Sequence, residues 1–355
     1  MNEFFYGVIE GFYGREWSWQ HRRNYAAFLS RHGFDCYIYA PKGDRYLRSS
    51  WREPLPEHTL EQLQALGDHY RNHGVRWGLG LSPLGLLDAF DASDKQALIE
   101  KVQQINTLKP DILCILFDDV RGDIPTLADN QLAVSDVILE NSCAHQHILC
   151  PTYYSFDPVL EKVFGTMPEG YLSQLSRGLP DDIGLFWTGN QVISPRIEAA
   201  DIERASDILG RRPILWDNYP VNDGRKTSQF LHLRPYQGRG SELRLQCEGH
   251  IVNPMNQPYL SELVLQSLSS VYKLGNAYRV ELAWQDALAS LGDGSLARSL
   301  DRDLERFQDL GLGGLSASEK KHLAEHYAAF SHPVAGEIVD WLQGGYQFDP
   351  ACLTD

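Results

Sequence analysis

Eight short apolar runs, rich in β-branched and aromatic residues, alternate with stretches of helical period along most of this chain. The candidate strands are residues 4–10, 36–40, 76–81, 112–117, 147–152, 183–188, 213–216 and 243–252. The candidate helices are residues 19–31, 60–73, 94–107, 126–141, 197–209 and 258–272. Such alternation is typical of βαβ units and a parallel sheet, and eight units over roughly 280 residues match the size of a (β/α)8 barrel. A doubly wound open sheet is the competing α/β architecture, but no G-x-G-x-x-G sequence follows any candidate strand.

The strand candidates stop near residue 290, and amphipathic helices over 296–310, 316–330 and 337–342 follow. This segment is too short for a hydrophobic core of its own. We therefore expect a barrel over residues 1–288 and a helical segment over residues 289–355. That segment is expected to pack either on the barrel or on the partner subunit of a homodimer.

Composition excludes several classes of partner. A net charge of −15 argues against a nucleic-acid ligand, because a phosphate backbone requires a basic surface. No apolar stretch approaches the roughly 20 residues of a membrane span. The six cysteines form no C-x-x-C pair, and the first residues lack the pattern of a signal peptide. We expect a soluble protein of a reducing cytoplasm.

Two adjacent aspartates, Asp118 and Asp119, close the apolar run 112–117. In a (β/α)8 barrel the carboxyl ends of the strands carry the chemistry. A single Asp there often caps the next helix, and spacing alone leaves a capped loop as an equal alternative. Because neighbouring residues of a strand point to opposite sides, the pair suits two separate tasks. We also expect the charge of Asp118 to raise the pKa of Asp119 and to keep it protonated near neutral pH.

Polar and aromatic residues follow six other candidate strands, so they would converge on the same end of a barrel. Each has a structural alternative: a solvated loop for Lys42, a turn for Asn218 and Asn253, and the core for Trp187 and Trp216. Together these groups form an inventory suited to sugars, since rings stack on pyranose faces and carboxylates or amides bind hydroxyls. The segments are 10–14, 41–44, 150–154, 187–190, 216–223 and 253–256.

Two further clusters are less specific. His145 and His147 have a spacing that occurs in metal sites, but no third ligand is near in sequence, so neither a metal nor a cofactor is predicted. Arg45, Arg48 and Arg52 form a basic patch that either pairs with neighbouring acids or contacts an extended substrate.

The ordered set of these segments resembles glycoside hydrolase family 84, the O-GlcNAcase-like β-N-acetylglucosaminidases. The resemblance covers about residues 4–285, and no single segment is decisive. The segments are Gly7-Val-Ile-Glu-Gly-Phe-Tyr-Gly14, Tyr39-Ala-Pro-Lys42, Phe117-Asp-Asp119, Cys150-Pro-Thr-Tyr-Tyr154, Trp187-Thr-Gly189, Trp216-Asp-Asn-Tyr-Pro-Val-Asn-Asp223 and Asn253-Pro-Met-Asn256.

The resemblance implies a retaining exo-β-N-acetylglucosaminidase in which the N-acetyl oxygen of the substrate attacks its own anomeric carbon to form an oxazoline. Asp118 would orient the acetamido N–H, and Asp119 would act as general acid and then as general base. Such substrate-assisted families are the exception to the usual pair of carboxylates on either side of the bond.

The resemblance also implies roles for the residues that bind the sugar. Asp223 would bind the O4 and O6 hydroxyls and Asn253 the O3/O4 region. Lys42 and the backbone of Gly11 would bind the O3 hydroxyl, and Tyr154 would contact the oxazoline. Asn218 would join the hydrogen-bond network of the acetamide and the aspartates. Cys150 and Trp216 would form the wall of the acetamide pocket.

We therefore expect the substrate to be a glycan or glycoprotein that carries terminal β-GlcNAc, including O-GlcNAc on serine or threonine. A catalytically silent GlcNAc-binding barrel is one alternative. The presence of both aspartates argues against it, because a protein that only binds sugar needs no acid. A hyaluronidase-type endo-glycosidase is another, but its polyanionic substrate suits a basic cleft better than a chain of net charge −15.

Overall fold

A computed structural model of the chain, which describes residues 4–87 and 90–348, contains a closed barrel of eight parallel strands. Each strand pairs with its neighbours in sequence, and β1 closes the barrel against β8, with Phe5 opposite Gly249. The (β/α)8 prediction is confirmed. The strands are β1 (Phe5–Glu10), β2 (Cys36–Tyr39), β3 (Arg76–Leu81), β4 (Ile112–Leu116), β5 (Gln146–Cys150), β6 (Gly184–Trp187), β7 (Ile214–Asp217) and β8 (Gly249–Val252).

Helices connect the strands around the outside of the barrel. Over the described ranges they are α1 (Trp19–His32), α2 (Glu57–Asn72), α3 (Ala92–Thr107), α4 (Leu127–Asn141), α5 (Val159–Phe164), α6 (Tyr171–Gly178), α7 (Ala199–Leu209), α8 (Leu243–Gln246) and α9 (Pro258–Leu274). The helices after the barrel are α10 (Val280–Ser290), α11 (Gly294–Glu305), α12 (Gly311–Gly314), α13 (Ala317–Ala328) and α14 (Pro333–Leu342). A π-helical turn, Arg306–Leu310, joins α11 to α12.

Two layers of apolar packing stabilise the barrel. Side chains that point inward fill its interior, and they include the thiols of Cys36, Cys114 and Cys150. A larger outer core lies between the strands and the helices. Because the interior is packed, the chemistry is confined to the ends of the strands. No helix in the described part of the chain combines the length and the apolar character needed to cross a membrane.

The prediction of one strand over 243–252 was wrong in its first half. Leu243, Leu245 and Cys247 alternate with polar residues, which favours a strand. In the structure Leu243 and Cys247, which are four residues or about one helical turn apart, are both buried, while Leu245 is exposed. The segment therefore forms the short helix α8, and β8 begins only at Gly249.

The described part of the helical segment contacts loops at the carboxyl end of the barrel. On α14, the carboxylate of Glu337 accepts hydrogen bonds from the backbone N–H groups of Tyr259 (3.0 Å) and Leu260 (2.8 Å), at the start of α9. The indole N–H of Trp341 donates to the backbone oxygen of Ser228, 3.1 Å away. The helical segment thus holds the loops that follow β7 and β8. Residues 349–355 of the predicted segment, with Cys352, lie outside the described ranges.

Candidate active site

A pocket opens at the carboxyl end of the barrel. All ten residues that the sequence predicts for the site line it, and each comes from a strand end or from the loop that follows. They are Gly11, Lys42, Asp118, Asp119, Cys150, Tyr154, Trp216, Asn218, Asp223 and Asn253. Their shared location is observed, and the role of each remains a prediction.

Lys42 joins the two aspartates at the bottom of this pocket. Its ammonium group donates a hydrogen bond to Oδ2 of Asp118 and lies 3.4 Å from Oδ2 of Asp119. The expectation that the two carboxylates point to opposite sides was wrong. Strand β4 ends at Leu116, and Asp119 has a φ of 60°, so the chain turns and brings both carboxylates to one ammonium group. A positive φ is uncommon for a residue other than glycine.

The surroundings of the two carboxylates differ. The side chain of Asp118 is 8% exposed and that of Asp119 is 26% exposed. Oδ1 of Asp118 is buried and has no hydrogen-bond partner among the described residues. A buried acceptor without a partner carries a desolvation cost, so this oxygen is suited to receive an N–H group from a ligand.

The expected rise in the pKa of Asp119 is not found. Burial by itself raises the pKa of this carboxyl, but the positive charge of Lys42 and a hydrogen bond from Tyr13 outweigh burial, so the pKa lies below its usual range. The prediction failed because it placed the charge of Asp118 beside Asp119 and did not foresee that Lys42 would neutralise it.

Two contacts at the site were missed from the sequence. The hydroxyl of Tyr13 donates to Oδ2 of Asp119 at 2.6 Å, and the guanidinium of Arg48 donates to the oxygen of Tyr13 at 3.2 Å. Arg48 is buried, whereas Arg45 and Arg52 form exposed ion pairs with Glu53 and Asp94. The basic patch is therefore divided, and only one of its three arginines supports the site. Tyr13 lies inside the segment 7–14, which could have drawn attention to it.

The opposite wall is built by amides from β7 and β8. Oδ1 of Asn218 accepts hydrogen bonds from the indole of Trp216 (3.0 Å) and from the amide of Asn253 (3.1 Å). Oδ1 of Asn253 accepts from the backbone N–H of Gly11 at 3.2 Å. A Cβ atom on Gly11 would lie 2.5 Å from the ring of Trp216, so only glycine allows the loop after β1 to approach this wall.

Asp223 lies in the loop after β7 and reaches back to the loop after β1. Its Oδ2 accepts a hydrogen bond from the backbone N–H of Tyr13 at 2.8 Å. Burial and the nearby charge of Asp119 raise its pKa to about 6, although the hydrogen bond from Tyr13 opposes this shift. Asp223 therefore changes its charge near neutral pH.

Other polar and aromatic residues at the strand ends have structural roles. Glu10 points away from the pocket and binds Arg22 at 2.5 Å. Asp217 is buried and binds Arg239 at 2.8 Å. Trp187 is fully buried in the outer core, as its structural alternative proposed. Within the described ranges, no group of three or more His, Cys, Asp or Glu side chains could hold a metal ion.

Comparison with known proteins identifies the family. The family model described as beta-N-acetylglucosaminidase matches residues 6–308. The chain belongs to the β-N-acetylglucosaminidase family. In this β-N-acetylglucosaminidase family member, the matched range contains all ten predicted site residues, seven complete strands and β1 from its second residue onward. It ends within the π-helical turn.

Several proteins are similar to this family member. Protein O-GlcNAcase of Rattus norvegicus and that of Mus musculus are each 29% identical to it over 303 residues. These residues cover 80% of this chain but 32% of each relative, so the chain spans about a third of the length of these curated relatives.

Solved structures of similar proteins agree with the barrel. A mutant of the Thermobaculum terrenum O-GlcNAc hydrolase is 28% identical, with a TM-score of 0.79 over 96% of this chain and 81% of that one. The structure of CpGH84B has a TM-score of 0.75 over 96% of this chain and 66% of that one. At 24% identity, the second comparison supports the fold alone.

Proposed function

We propose that this chain is a retaining exo-β-N-acetylglucosaminidase that uses the acetamide group of its substrate as the nucleophile. The observation that carries the proposal is the arrangement of Asp118 and Asp119 around Lys42, with Oδ1 of Asp118 buried and without a partner. A conventional retaining enzyme needs two carboxylates on either side of the bond, roughly 5–5.5 Å apart. Two carboxylates that share one ammonium group are better placed for two separate tasks on one side of the sugar than for positions on either side of the bond.

In the first step, Asp118 accepts a hydrogen bond from the acetamido N–H, which turns the acetamide oxygen toward the anomeric carbon. The C1–O bond to the aglycone breaks as the bond from the acetamide oxygen to C1 forms, and Asp119 gives its proton to the departing oxygen. The negative charge of Asp118 stabilises the positive charge that develops on the oxazoline ring. In the second step, Asp119 removes a proton from water, and the water oxygen attacks C1 as the bond from C1 to the oxazoline oxygen breaks. This step restores the acetamide group and the β-configuration.

Asp119 must carry a proton when the substrate is bound, although Lys42 and Tyr13 favour its charged form in the free protein. The bound sugar supplies a reason for the change. The O3 hydroxyl of the substrate competes for Lys42, which weakens the contact with Asp119, and the sugar excludes water from the pocket. Both effects raise the pKa of Asp119 toward that of a useful acid.

The relatives named O-GlcNAcase or O-GlcNAc hydrolase support, for this chain, a substrate with GlcNAc on serine or threonine.

A cytoplasmic location agrees with the five described cysteines, which are all free.

The activity is tested by turnover of an aryl β-N-acetylglucosaminide, with the matching aryl β-glucoside as control. We expect hydrolysis of the first substrate only, because the glucoside lacks the acetamide nucleophile. Equal turnover of both substrates would contradict the acetamide mechanism. Binding of GlcNAc without any turnover would support the silent GlcNAc-binding barrel instead.

We expect Asp223→Ala to weaken the affinity for N-acetylglucosamine by about 1.5–3 kcal/mol, because buried sugar hydroxyls lose a charged acceptor. The pKa of Asp223, raised to about 6, adds a pH dependence. The carboxylate binds hydroxyls better than the protonated acid does, so wild-type affinity should rise as the pH increases through about 6. Isothermal titration at about pH 5 and about pH 8 measures both effects.

Asp223→Asn is the matched variant, since it keeps the shape but not the charge. It should bind weakly at both pH values, without the wild-type dependence. Unchanged affinity in either variant would show that Asp223 does not bind the sugar.

A further inference from the structure

A second groove adjoins the catalytic pocket. Asp119 lines both spaces, so the groove begins at the residue to which the proposed function assigns proton transfer. The walls come from the loop after β3 and the loop after β4. The lining residues are Pro83, Leu84, Gly85, Leu87, Leu116, Phe117, Asp119, Val120, Arg121 and Ile124.

The lining of this groove is mainly aliphatic. Leu84, Val120 and Ile124 are partly exposed, and Asp119 and Arg121 are the charged residues among those that line it. Phe117 supplies the groove's single aromatic side chain within the described ranges, and it is 2% exposed. A second sugar would need hydroxyl partners or an open aromatic face on which to stack. In its described lining the groove has no open aromatic face, and its side chains other than Asp119 and Arg121 are apolar.

Position and chemistry together identify an occupant. Asp119 protonates the oxygen that links GlcNAc to its aglycone, so the aglycone must begin next to Asp119. We propose that the groove between the loops after β3 and β4 is an aglycone subsite that binds an aliphatic group attached to GlcNAc, such as an apolar side chain beside a glycosylated serine or threonine. This inference rests on the proposed function, because it assigns a substrate class to the same reaction.

Alkyl β-N-acetylglucosaminides test the subsite without changing the chemistry. Methyl, butyl and hexyl glycosides differ in the apolar surface that they bury, while the pKa of the leaving alcohol stays nearly constant along the series. Each is measured as a competitive inhibitor of aryl β-N-acetylglucosaminide hydrolysis. Hydrolysis of the aryl substrate tests the proposed function by itself, so the two proposals can fail separately.

We expect the inhibition constant to fall by about tenfold or more from the methyl to the hexyl glycoside, since each fully buried methylene contributes roughly fourfold. Leu84→Ser and Ile124→Ser, one in each wall, should reduce this ratio to about threefold or less. Because the ratio is taken within one variant, partial loss of folded protein cancels. Val163→Ser is the control, since Val163 is 66% exposed on α5 and outside the groove, and its ratio should equal that of wild type.

Three outcomes would overturn the proposal. The first is a wild-type ratio near one. The second is a ratio near one in Ile193→Ser while both groove variants keep the wild-type ratio. Ile193 lies on the loop after β6 and lines the catalytic pocket, so this result would show that the aglycone binds along that loop and not in the groove. The third is a lower inhibition constant for N,N′-diacetylchitobiose than for the hexyl glycoside, which would indicate a subsite for a second sugar.

Discussion

Asp118→Ala is expected to lower kcat/KM on every β-N-acetylglucosaminide by on the order of 10²-fold or more, the scale of a lost electrostatic contact in a transition state. Without this carboxylate, nothing turns the acetamide oxygen toward the anomeric carbon, and the positive charge on the oxazoline ring has no counter-charge. The loss should be similar for good and poor leaving groups, because Asp118 takes no part in protonating the aglycone. Steady-state rates on two aryl substrates of different leaving-group pKa measure both features.

Two further variants complete this experiment. Asp118→Asn keeps the size of the side chain and removes its charge, so it should be nearly as slow as the alanine variant. Asp207→Ala removes a carboxylate from the exposed face of α7 and should match wild type. An Asp118→Ala enzyme within a few-fold of wild type would contradict the role of Asp118.

The barrel could be predicted because its pattern is local. Each strand is a short apolar run and each helix has its own period, and the ends of eight such strands must meet. For that reason the ten predicted site residues, which are distant in sequence, line one pocket. The error at 243–252 has a local cause too, since Leu243, Leu245 and Cys247 fit a strand period, whereas Leu243 and Cys247 by themselves also fit one helical turn.

What the sequence did not reveal depends on distances between segments. Nothing in the sequence indicates that Lys42 would contact both aspartates or that Arg48, unlike Arg45, would be buried. These contacts determine the pKa of Asp119, which is why its direction was predicted wrongly. The support that Glu337 gives to the start of α9 likewise requires the three-dimensional position of α14.

Asp119→Asn is the second variant from which we expect a large effect. With a serine or simple alkyl alcohol as leaving group, kcat/KM should fall by roughly 10²–10⁴-fold, the usual contribution of a general acid. A dinitrophenolate departs without protonation, so the first step should then remain close to wild type. The basic limb of the profile of kcat against pH should also flatten, because kcat reports the pKa of Asp119 in the substrate complex and the amide of asparagine does not titrate in this range.

The most direct test of the division of labour between the two aspartates is the ratio of wild-type to Asp119→Asn kcat/KM across β-N-acetylglucosaminides of graded leaving-group pKa. We predict a ratio that rises steadily as the leaving group becomes more basic, while the corresponding ratio for Asp118→Ala stays nearly level. A constant ratio for Asp119→Asn would show that Asp119 is not the proton donor, and the acid would then have to be another residue of the pocket.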